Sequence, residues 1–434
     1  MTIHDWMSEM MLRTPLERQY FLHKCFCRMW PVLSRLASLY RRTAVRRTRI
    51  VAVVGSFGKS TTTNAVVTAL GGTPYPGSQR NVSSFLARGL FRIRPGDRHA
   101  VLEVGIAGIG AMAPYAQMIR PDITVVTSIG SEHNSSLGRL ETTREEKAAM
   151  VRILPPSGLA VLNGDDPNVL WMRGQTQARV ATFGFGETND VWAGNVSLED
   201  WPNGTRFTLH ADGETRDLRV RLIGRPMIYP ILAAITVALA EGFTLDQIQP
   251  GLEALTPTPG RLEPFRLPNG AMILGDDFKS ALETVEAALD VLAELPAKRR
   301  IVVLGQVTEP PGKSGDVYRH LGKRIGSMAS QAIFICGKSN TACSAGATAA
   351  GMPRSAIVKA GRDIFKAIEA LQGTLGPGDV VLIKGRMTER LGRITLALAG
   401  RTVNCRIDYC KTRMIRCDEC PMLEHGWGRS EPVT

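Results

Sequence analysis

The chain has 434 residues, of which 44% are apolar and 21% are charged, and its formal net charge is +13. This composition is ordinary for a soluble globular protein of two or three domains. The sequence lacks a run of roughly 18 apolar residues, a basic-then-apolar leader and a cysteine-dense framework. We therefore exclude membrane-spanning, secreted and disulfide-scaffold classes and expect a cytoplasmic protein.

Residues 1–48 are predicted to form a basic helical arm. Nine Lys or Arg residues and no Asp or Glu lie between Arg18 and Arg49. Within 15–42, apolar residues recur at helical spacing, and Pro31 is expected to kink or split the helix. Such a stretch suits an anionic membrane surface or a partner enzyme, and nucleic acid less well. A solvated arm, or a helix docked on the next domain, stays open as the alternative.

From Ile50 onward, strand-like and helix-like segments alternate, which is typical of an α/β fold built on a parallel sheet. We predict a central P-loop ATPase domain at 49–257, with an antiparallel flap at 191–222. A Pro-rich linker near 256–265 precedes a C-terminal Rossmann-like α/β domain at 258–402. A Cys-rich tail at 403–434 completes the chain.

The stretch "VAVVGSFGKSTTTNAVV" predicts a phosphate-binding loop, because a buried strand leads into it and a helix follows. In such a loop, backbone N–H groups and the helix N-terminus bind phosphate oxygens. Lys59 can reach the β- and γ-phosphates of ATP, and the hydroxyl of Ser60 or Thr61 can bind Mg²⁺. The predicted nucleotide-binding residues are Gly55, Ser56, Phe57, Gly58, Lys59, Ser60 and Thr61.

The loop is two residues shorter than the common form, and this Gly-x-x-Gly-Lys-Ser-Thr pattern resembles the Mur ligase family. Three further matches follow in order: Glu103 in "HAVLEVG", His133 in "RPDITVVTSIGSEHNSSLG" and Lys147 in "TREEKAAMV". The resemblance implies that Glu103 and His133 bind Mg²⁺ and that Lys147, as a carbamate, supplies another metal ligand. It implies a catalytic set of Lys59, Glu103, His133 and Lys147.

The C-terminal half continues the resemblance. Pro259-Gly260-Arg261 is similar to the family's linker, whose arginine contacts nucleotide, and Asp277-Phe278-Lys279-Ser280 is similar to the "D-S-K-A" of one branch. "LGQVTE" and "LIKGRMTERL" look like stretches of the branch that adds a D-Ala-D-Ala dipeptide. The resemblance implies nucleotide contacts from Arg261 and Asp277, and substrate contacts from Lys279, Lys384 and Arg386.

The function implied by the resemblance is an ATP-dependent acid–amino acid ligase. Such an enzyme activates a carboxylate as an acyl phosphate, joins it to the amine of an amino acid or peptide, and releases ADP and phosphate. We expect a monomer or dimer. Two alternatives stay open: a degenerate ligase fold that acts as a scaffold through the arm and tail, and a P-loop kinase or GTPase.

The sequence departs from the family at three places that bear on substrate and nucleotide. About 48 residues precede the P-loop strand, too few for a UDP-sugar-binding domain, so we expect a substrate other than a UDP-MurNAc-peptide. Residues 224–230, "GRPMIYP", lack the His and both Asn of a family pattern that supplies an adenine-contacting Asn, and "FKSALE" replaces a second adenine-side loop. Adenine is therefore expected to bind differently.

The tail carries four cysteines that suggest a structural zinc site. The last two have the Cys-x2-Cys spacing common in such sites, although the interval between the two pairs is short for a zinc ribbon. A flexible tail with reduced cysteines is the alternative. The predicted ligands are Cys405, Cys410, Cys417 and Cys420.

Overall fold

The computed structural model describes residues 25–73, 81–106, 108–131, 138–410, 412 and 415–426. His133 and the first 24 residues of the arm lie outside the described residues. None of the helices in the described ranges is long and apolar enough to cross a membrane.

The first domain is built on an eight-stranded sheet with the strand order β2-β1-β3-β4-β5-β6-β7-β8. Strands β1 to β6 pair in parallel, and β7 and β8 extend the sheet as an antiparallel flap. The core strands are apolar on both faces because helices cover both sides. Their bounds are Arg49–Val54, His99–Glu103, Ile123–Val126, Leu159–Asn163, Arg179–Gly184, Val191–Ser197, Thr205–Ala211 and Glu214–Val220.

Two hydrophobic cores lie on opposite faces of this sheet. Alternation along β1 sends Val51 and Val53 to one face and Ile50, Ala52 and Val54 to the other. The first face is covered by α2 (Lys59–Ala69), α7 (Ile228–Ala240) and α8 (Leu245–Ala254). The second is covered by α1 (Trp30–Arg42), α3 (Ser84–Arg92), α4 (Met112–Ile119), α5 (Leu140–Arg152) and the short α6 (Pro167–Leu170).

The second domain has a six-stranded sheet with the order β13-β12-β11-β14-β10-β9, parallel except for β9 at one edge. Its strands are Glu263–Arg266, Met272–Asp276, Arg299–Leu304, Gln331–Phe334, Ile357–Lys359 and Asp379–Lys384. The helices are α9 to α14: Leu282–Glu294, Ser314–Met328, Asn340–Ala349, Ile364–Leu371, Gly392–Leu398 and Met422–His425. The predicted fold class is confirmed.

The arm helix α1 docks on the first domain. Trp30 packs edge-to-face on Tyr115 with ring centroids 5.4 Å apart, and the Tyr40 hydroxyl donates to the Ile93 carbonyl at 2.7 Å. Arg41 is buried and pairs with Asp122 at 2.9 Å. Pro31 lies in the first turn, where a missing N–H costs no helical hydrogen bond.

Candidate active site

The P-loop connects β1 to α2 in a conformation that requires glycine at two positions. Gly55 has φ +142°, and a Cβ there would overlap the Thr127 hydroxyl. Gly58 has φ +79° and caps α2 in the left-handed region, which is costly for other residues. The first N–H groups of α2 therefore point into the loop, where a phosphate can accept from them.

Lys59 lies inside this loop. It is buried, and its Nζ donates to the carbonyl oxygens of Gly55 at 2.8 Å and Ser56 at 3.0 Å. Burial removes water from the ammonium group and lowers the pKa of Lys59 to about 8, against a smaller opposing attraction from Glu103. A bound phosphate would therefore supply the negative charge that pairs with this ammonium group.

Ser60 and Glu103 meet at the edge of the loop. The Ser60 hydroxyl donates to Glu103 Oε2 at 2.6 Å, and Asn81 Nδ2 donates to Glu103 Oε1 at 2.5 Å. Arg261 reaches across from the second domain and donates to Ser60 Oγ at 3.0 Å, while its guanidinium stacks on Phe278 at 4.6 Å. A hydroxyl and a carboxylate are oxygen ligands that Mg²⁺ prefers, so these residues fit a magnesium ion.

Lys147 approaches the loop from α5. Its Nζ donates to Ser56 Oγ at 2.8 Å, and the side chain is buried. Desolvation, followed by repulsion from Lys59, holds the pKa of Lys147 well below its usual range. A neutral lysine amine is the form that reacts with CO₂ to give a carbamate.

The carboxyl end of β3 supports the loop through Thr127 and Ser128, two residues that the sequence did not single out. Ser128 Oγ accepts from the Phe57 N–H at 2.9 Å, and the Thr127 hydroxyl donates to the Phe57 carbonyl at 2.5 Å. Asn163 donates to the Thr127 carbonyl at 2.9 Å. Ser131 forms an inter-domain contact, because both its N–H and its hydroxyl donate to Glu283 at 2.8 and 2.6 Å.

The predicted residues of the second domain divide into two groups. Asp277, Lys279 and Arg386 line the inter-domain cleft. Asp277 also accepts from the Gly392 N–H at 2.7 Å, and burial raises its pKa. Lys384 is buried; it pairs with Asp276 at 2.7 Å and donates to the Lys279 carbonyl at 2.5 Å. Lys384 therefore fixes the backbone that presents Lys279.

One cleft of about 3180 Å³ runs between the two domains and joins these groups. From the first domain it is lined by Gly55, Lys59, Glu103 and Lys147, and from the second by Asp277, Phe278, Lys279 and Arg386. The arrangement resembles an active site that is completed when two domains approach each other.

The substituted segment at 224–230 forms an aromatic cluster at the surface. Arg225 lies over the Phe185 ring at 3.9 Å, Tyr229 packs edge-to-face on Phe185 at 4.8 Å, and the Tyr229 hydroxyl donates to Asp165 at 3.0 Å. Arg225 and Tyr229 thus pack on Phe185 from the segment in which the sequence lacks the family's adenine-contacting Asn. How adenine binds stays a prediction.

Two family models match the chain in order. Residues 53–238 match the Mur ligase middle domain, and residues 260–387 match the Mur ligase, glutamate ligase domain.

The chain belongs to the Mur ligase family.

This membership confirms the resemblance and gives the reaction class, ATP-dependent formation of an amide bond with release of ADP. The kinase or GTPase alternative is wrong, because both matched domains are those of ligases.

Several relatives at 30% identity come from one branch of the family, and solved structures with that name share the fold. The UDP-N-acetylmuramoyl-tripeptide–D-alanyl-D-alanine ligase of Escherichia coli is 30% identical over 70% of this chain and 67% of its own length. That of Mycobacterium tuberculosis H37Rv is 30% identical over 85% and 77%. MurF from Acinetobacter baumannii superposes with a TM-score of 0.75 at 21% identity over 86% and 81% of the two chains. MurF from Thermotoga maritima in complex with ADP gives 0.74 at 21% identity over 85% and 83%. The protein is therefore a MurF-like member of the family.

The four tail cysteines lie around one small cavity. Cys405, Cys410, Cys417 and Cys420 line a space of about 30 Å³ together with three arginines, Arg390, Arg393 and Arg416. Burial raises the pKa of Cys417 to about 12. In the part of the chain that the structure describes, no three His, Cys, Asp or Glu side chains already form a group that could hold a metal. The structure thus brings the predicted ligands together without showing a metal site.

Proposed function

We propose that this Mur ligase phosphorylates a carboxylate of an acid substrate with ATP and transfers the acyl group to the amine of an amino acid or short peptide. The observation that carries the proposal is the convergence of Lys59, the Ser60–Glu103 pair and Lys147 on one phosphate loop. These groups lie at the base of a cleft that the second domain lines from the other side.

The geometry supports specific roles in charge compensation. Transfer of a γ-phosphoryl group to a carboxylate brings several negative charges together, and fixed positive groups must offset them. Lys59 and the N–H groups of α2 would bind the phosphates, and Arg261 would add a cation from the second domain. Ser60 and Glu103 would hold Mg²⁺, which acts as a Lewis acid when bound. Lys147, as a carbamate, would supply a further oxygen ligand, and we keep His133 as a predicted ligand.

The cleft favours an acid substrate with additional negative charge. Its wall includes arginines from the arm and from the region around α3: Arg28, Arg88, Arg92, Arg94 and Arg98. The named relatives act on a UDP-N-acetylmuramoyl-tripeptide and D-alanyl-D-alanine. We propose an acid that carries phosphate or several carboxylates, with a small amino acid or a D-Ala-D-Ala-like dipeptide as the amine. These substrate classes include the precursors of a cell wall.

The test is ligation by the purified full chain. ATP, Mg²⁺ and pools of acids and amines, including the UDP-linked tripeptide with D-Ala-D-Ala, are incubated with the protein. ADP release and product masses are then measured. We expect one pair of pools to give both ADP and a product whose mass is the sum of acid and amine minus water. No ADP from any pool, together with no ATP·Mg²⁺ binding that depends on Lys59, would instead support the scaffold alternative.

Nucleotide affinity is expected to depend on pH through Lys59. Its pKa is about 8, and phosphate binds the ammonium form. Affinity should be constant below pH 8 and should fall by up to about tenfold for each further pH unit, because binding must then take up a proton. In Lys59→Arg the dependence should flatten, since guanidinium stays charged. Titration of ATP·Mg²⁺ by calorimetry from pH 6.5 to 9.5 measures this, and a flat wild-type profile would refute the role of the ammonium.

For the tail we propose a structural zinc ion bound by Cys405, Cys410, Cys417 and Cys420. The support is the shared cavity and the tight turn at Cys417–Glu419, in which the Cys420 N–H donates to the Cys417 carbonyl at 3.3 Å. Four thiolates around Zn²⁺ leave a net charge of −2, which the neighbouring arginines can offset. Metal binding would draw the thiols to ligand distance.

Zinc content tests this proposal. The purified protein should hold about one equivalent of zinc by elemental analysis, as a four-thiolate structural site does. Cys417→Ser/Cys420→Ser should lose the metal, whereas Cys27→Ser, an exposed cysteine of the arm, should keep it. If the wild-type protein contains no zinc and chelation leaves its melting temperature unchanged, the alternative of a tail with reduced cysteines and no metal is supported.

For the arm we keep the prediction of an anionic membrane surface or a partner enzyme. Arg28, Arg35 and Arg42 are exposed around a helix that is anchored on its other side. The state of assembly, monomer or dimer, stays a prediction.

A further inference from the structure

One side of α1, together with Met29 just before it, carries aliphatic side chains that are about half exposed to solvent. Met29, Val32, Leu36 and Leu39 are 49%, 54%, 51% and 58% exposed. At 100° per residue, these four positions fall within an arc of about 80°. We call them the outer stripe. Phe91, 39% exposed and packed against Tyr40 at 5.7 Å, extends the apolar surface onto α3.

The outer stripe is not the face by which α1 joins the core. Trp30, Leu33, Ala37 and Tyr40 lie on a separate arc and pack into the second core of the first domain. The buried Arg41 fixes the end of the helix, because its guanidinium donates to the carbonyl oxygens of Ile119, Arg120 and Val45 and to Asp122. The domain therefore holds α1 rigidly with the outer stripe turned outward. Contiguous apolar patches of this kind commonly mark interaction sites.

Positive charge borders the stripe along its length. Arg28, Arg35 and Arg42 are exposed and follow one another at seven-residue intervals, so they form a row beside the outer stripe. Arg46 and Arg47 continue the exposed charge past the end of the helix. No acidic residue occurs anywhere between positions 18 and 49. An apolar stripe next to a row of arginines is the pattern of a helix that lies in a membrane interface.

We propose that α1 docks on an anionic lipid surface, with the outer stripe in the headgroup–acyl boundary and the arginine row on lipid phosphates. The helix has 13 residues, about 20 Å, which suits a position parallel to the surface. Arg28 also lines the inter-domain cleft, so a docked membrane would lie beside one rim of the cleft. This inference does not depend on the ligase activity.

Two other macromolecular occupants fit this surface less well. A second copy bound through the same patch would form an isologous contact and place arginine rows close to one another. Nucleic acid would match the arginines but would leave the outer stripe exposed to water, since affinity for nucleic acid comes mainly from phosphate contacts.

Vesicle flotation with the full chain tests the proposal. Wild-type protein should float with phosphatidylcholine vesicles that contain about 30% phosphatidylglycerol and should bind pure phosphatidylcholine at least tenfold more weakly. Leu36→Ser/Leu39→Ser should weaken binding to the anionic vesicles by about tenfold or more. Arg35→Gln/Arg42→Gln should weaken it by roughly fivefold for each arginine removed. Ile109→Ser removes an aliphatic side chain that is 67% exposed outside the patch, and it should bind as wild type does.

The following results would overturn the proposal. Wild-type protein that ignores anionic vesicles, or Leu36→Ser/Leu39→Ser that binds them unchanged, overturns the proposal. A wild-type dimer that this variant converts to monomer, by light scattering, would assign the stripe to a second copy. Vesicle binding that appears only after deletion of residues 1–24 would show that the chain's own N-terminal segment covers it. Unchanged capture of the leucine variant by an RNA duplex, with no vesicle binding, would assign the arm to nucleic acid.

Discussion

Lys59→Ala is expected to reduce kcat/KM for ATP-dependent ligation by roughly 10³-fold. The amine is held inside the P-loop by the carbonyl oxygens of Gly55 and Ser56, within reach of any phosphate bound to the α2 N-terminus. During transfer, the attacking carboxylate, the γ-phosphoryl group and the leaving ADP bring their negative charges close together. Alanine leaves that charge uncompensated. ADP release and product mass, measured with the substrates found by the pool assay, give the magnitude.

The loss should not come from unfolding. Burial lowers the pKa of Lys59 to about 8, so at neutral pH the desolvated ammonium destabilises the folded state. This destabilisation is lost only as pH rises from the folded pKa to the unfolded pKa. Alanine removes this destabilisation, so the melting temperature at pH 7 should not fall. Lys338 provides a matched control. It also lies in a Gly-Lys-Ser sequence, but its side chain is exposed and lies outside the P-loop. Lys338→Ala with wild-type activity, beside an inactive Lys59→Ala, is the expected pair; two equally active variants would contradict the assignment.

Periodicity and motif order were sufficient to predict the α/β architecture. Runs such as Ile50–Val54 are apolar at every position, which is the mark of a strand buried on both faces, and glycine-rich turns separate them from amphipathic or apolar helices. The P-loop could be predicted because its chemistry limits the residues that fit: glycine at Gly55 and Gly58, and a lysine directly after the second. Resemblance then placed Glu103 and Lys147, and the structure brings Glu103 to Ser60 and Lys147 to Ser56.

Long-range polar contacts could not be predicted. Asn81, which donates to Glu103, and Ser128, which accepts from Phe57, are common polar residues in loops, and neither has a spacing that marks it. Arg41 belongs to a run of basic residues for which the sequence leaves open an anionic surface, a solvated arm or a docked helix. In the structure it is buried on Asp122, 81 positions away, a pairing that no local pattern encodes. Side chains whose role depends on a distant partner require the fold before they can be assigned.

Lys384 illustrates a different limit. Resemblance placed it among the substrate-binding residues, whereas the structure shows a buried ammonium that pairs with Asp276 and holds the Lys279 carbonyl. A motif predicts that a lysine is needed at a position. It does not predict whether that lysine contacts the ligand or instead fixes the backbone of a residue that contacts the ligand. Its assignment as a substrate contact stays a prediction.

Glu103→Gln is expected to lower kcat by roughly 10²- to 10³-fold and to raise the Mg²⁺ concentration needed for half-maximal activity. The carboxylate sits at the end of β2, 2.6 Å from the Ser60 hydroxyl, and it is the acidic side chain that the P-loop serine contacts. Glutamine keeps the size and one acceptor oxygen but removes the negative charge that attracts a divalent cation. Magnesium titrations of ADP release at saturating ATP separate the metal requirement from nucleotide affinity.

The control lies in the same cleft. Asp97 also lines the cleft, but it is exposed and accepts from the Arg94 N–H in a turn away from the P-loop. Asp97→Asn should therefore keep the wild-type Mg²⁺ dependence. If both variants shift the Mg²⁺ requirement equally, the effect reflects the general charge of the cleft. If Glu103→Gln loses activity that no Mg²⁺ concentration restores while its Mg²⁺ midpoint is unchanged, Glu103 orients Ser60 and Asn81 without binding the metal. A midpoint that rises only in Glu103→Gln identifies this carboxylate as the metal ligand, because glutamine keeps the size and one acceptor oxygen but loses the negative charge.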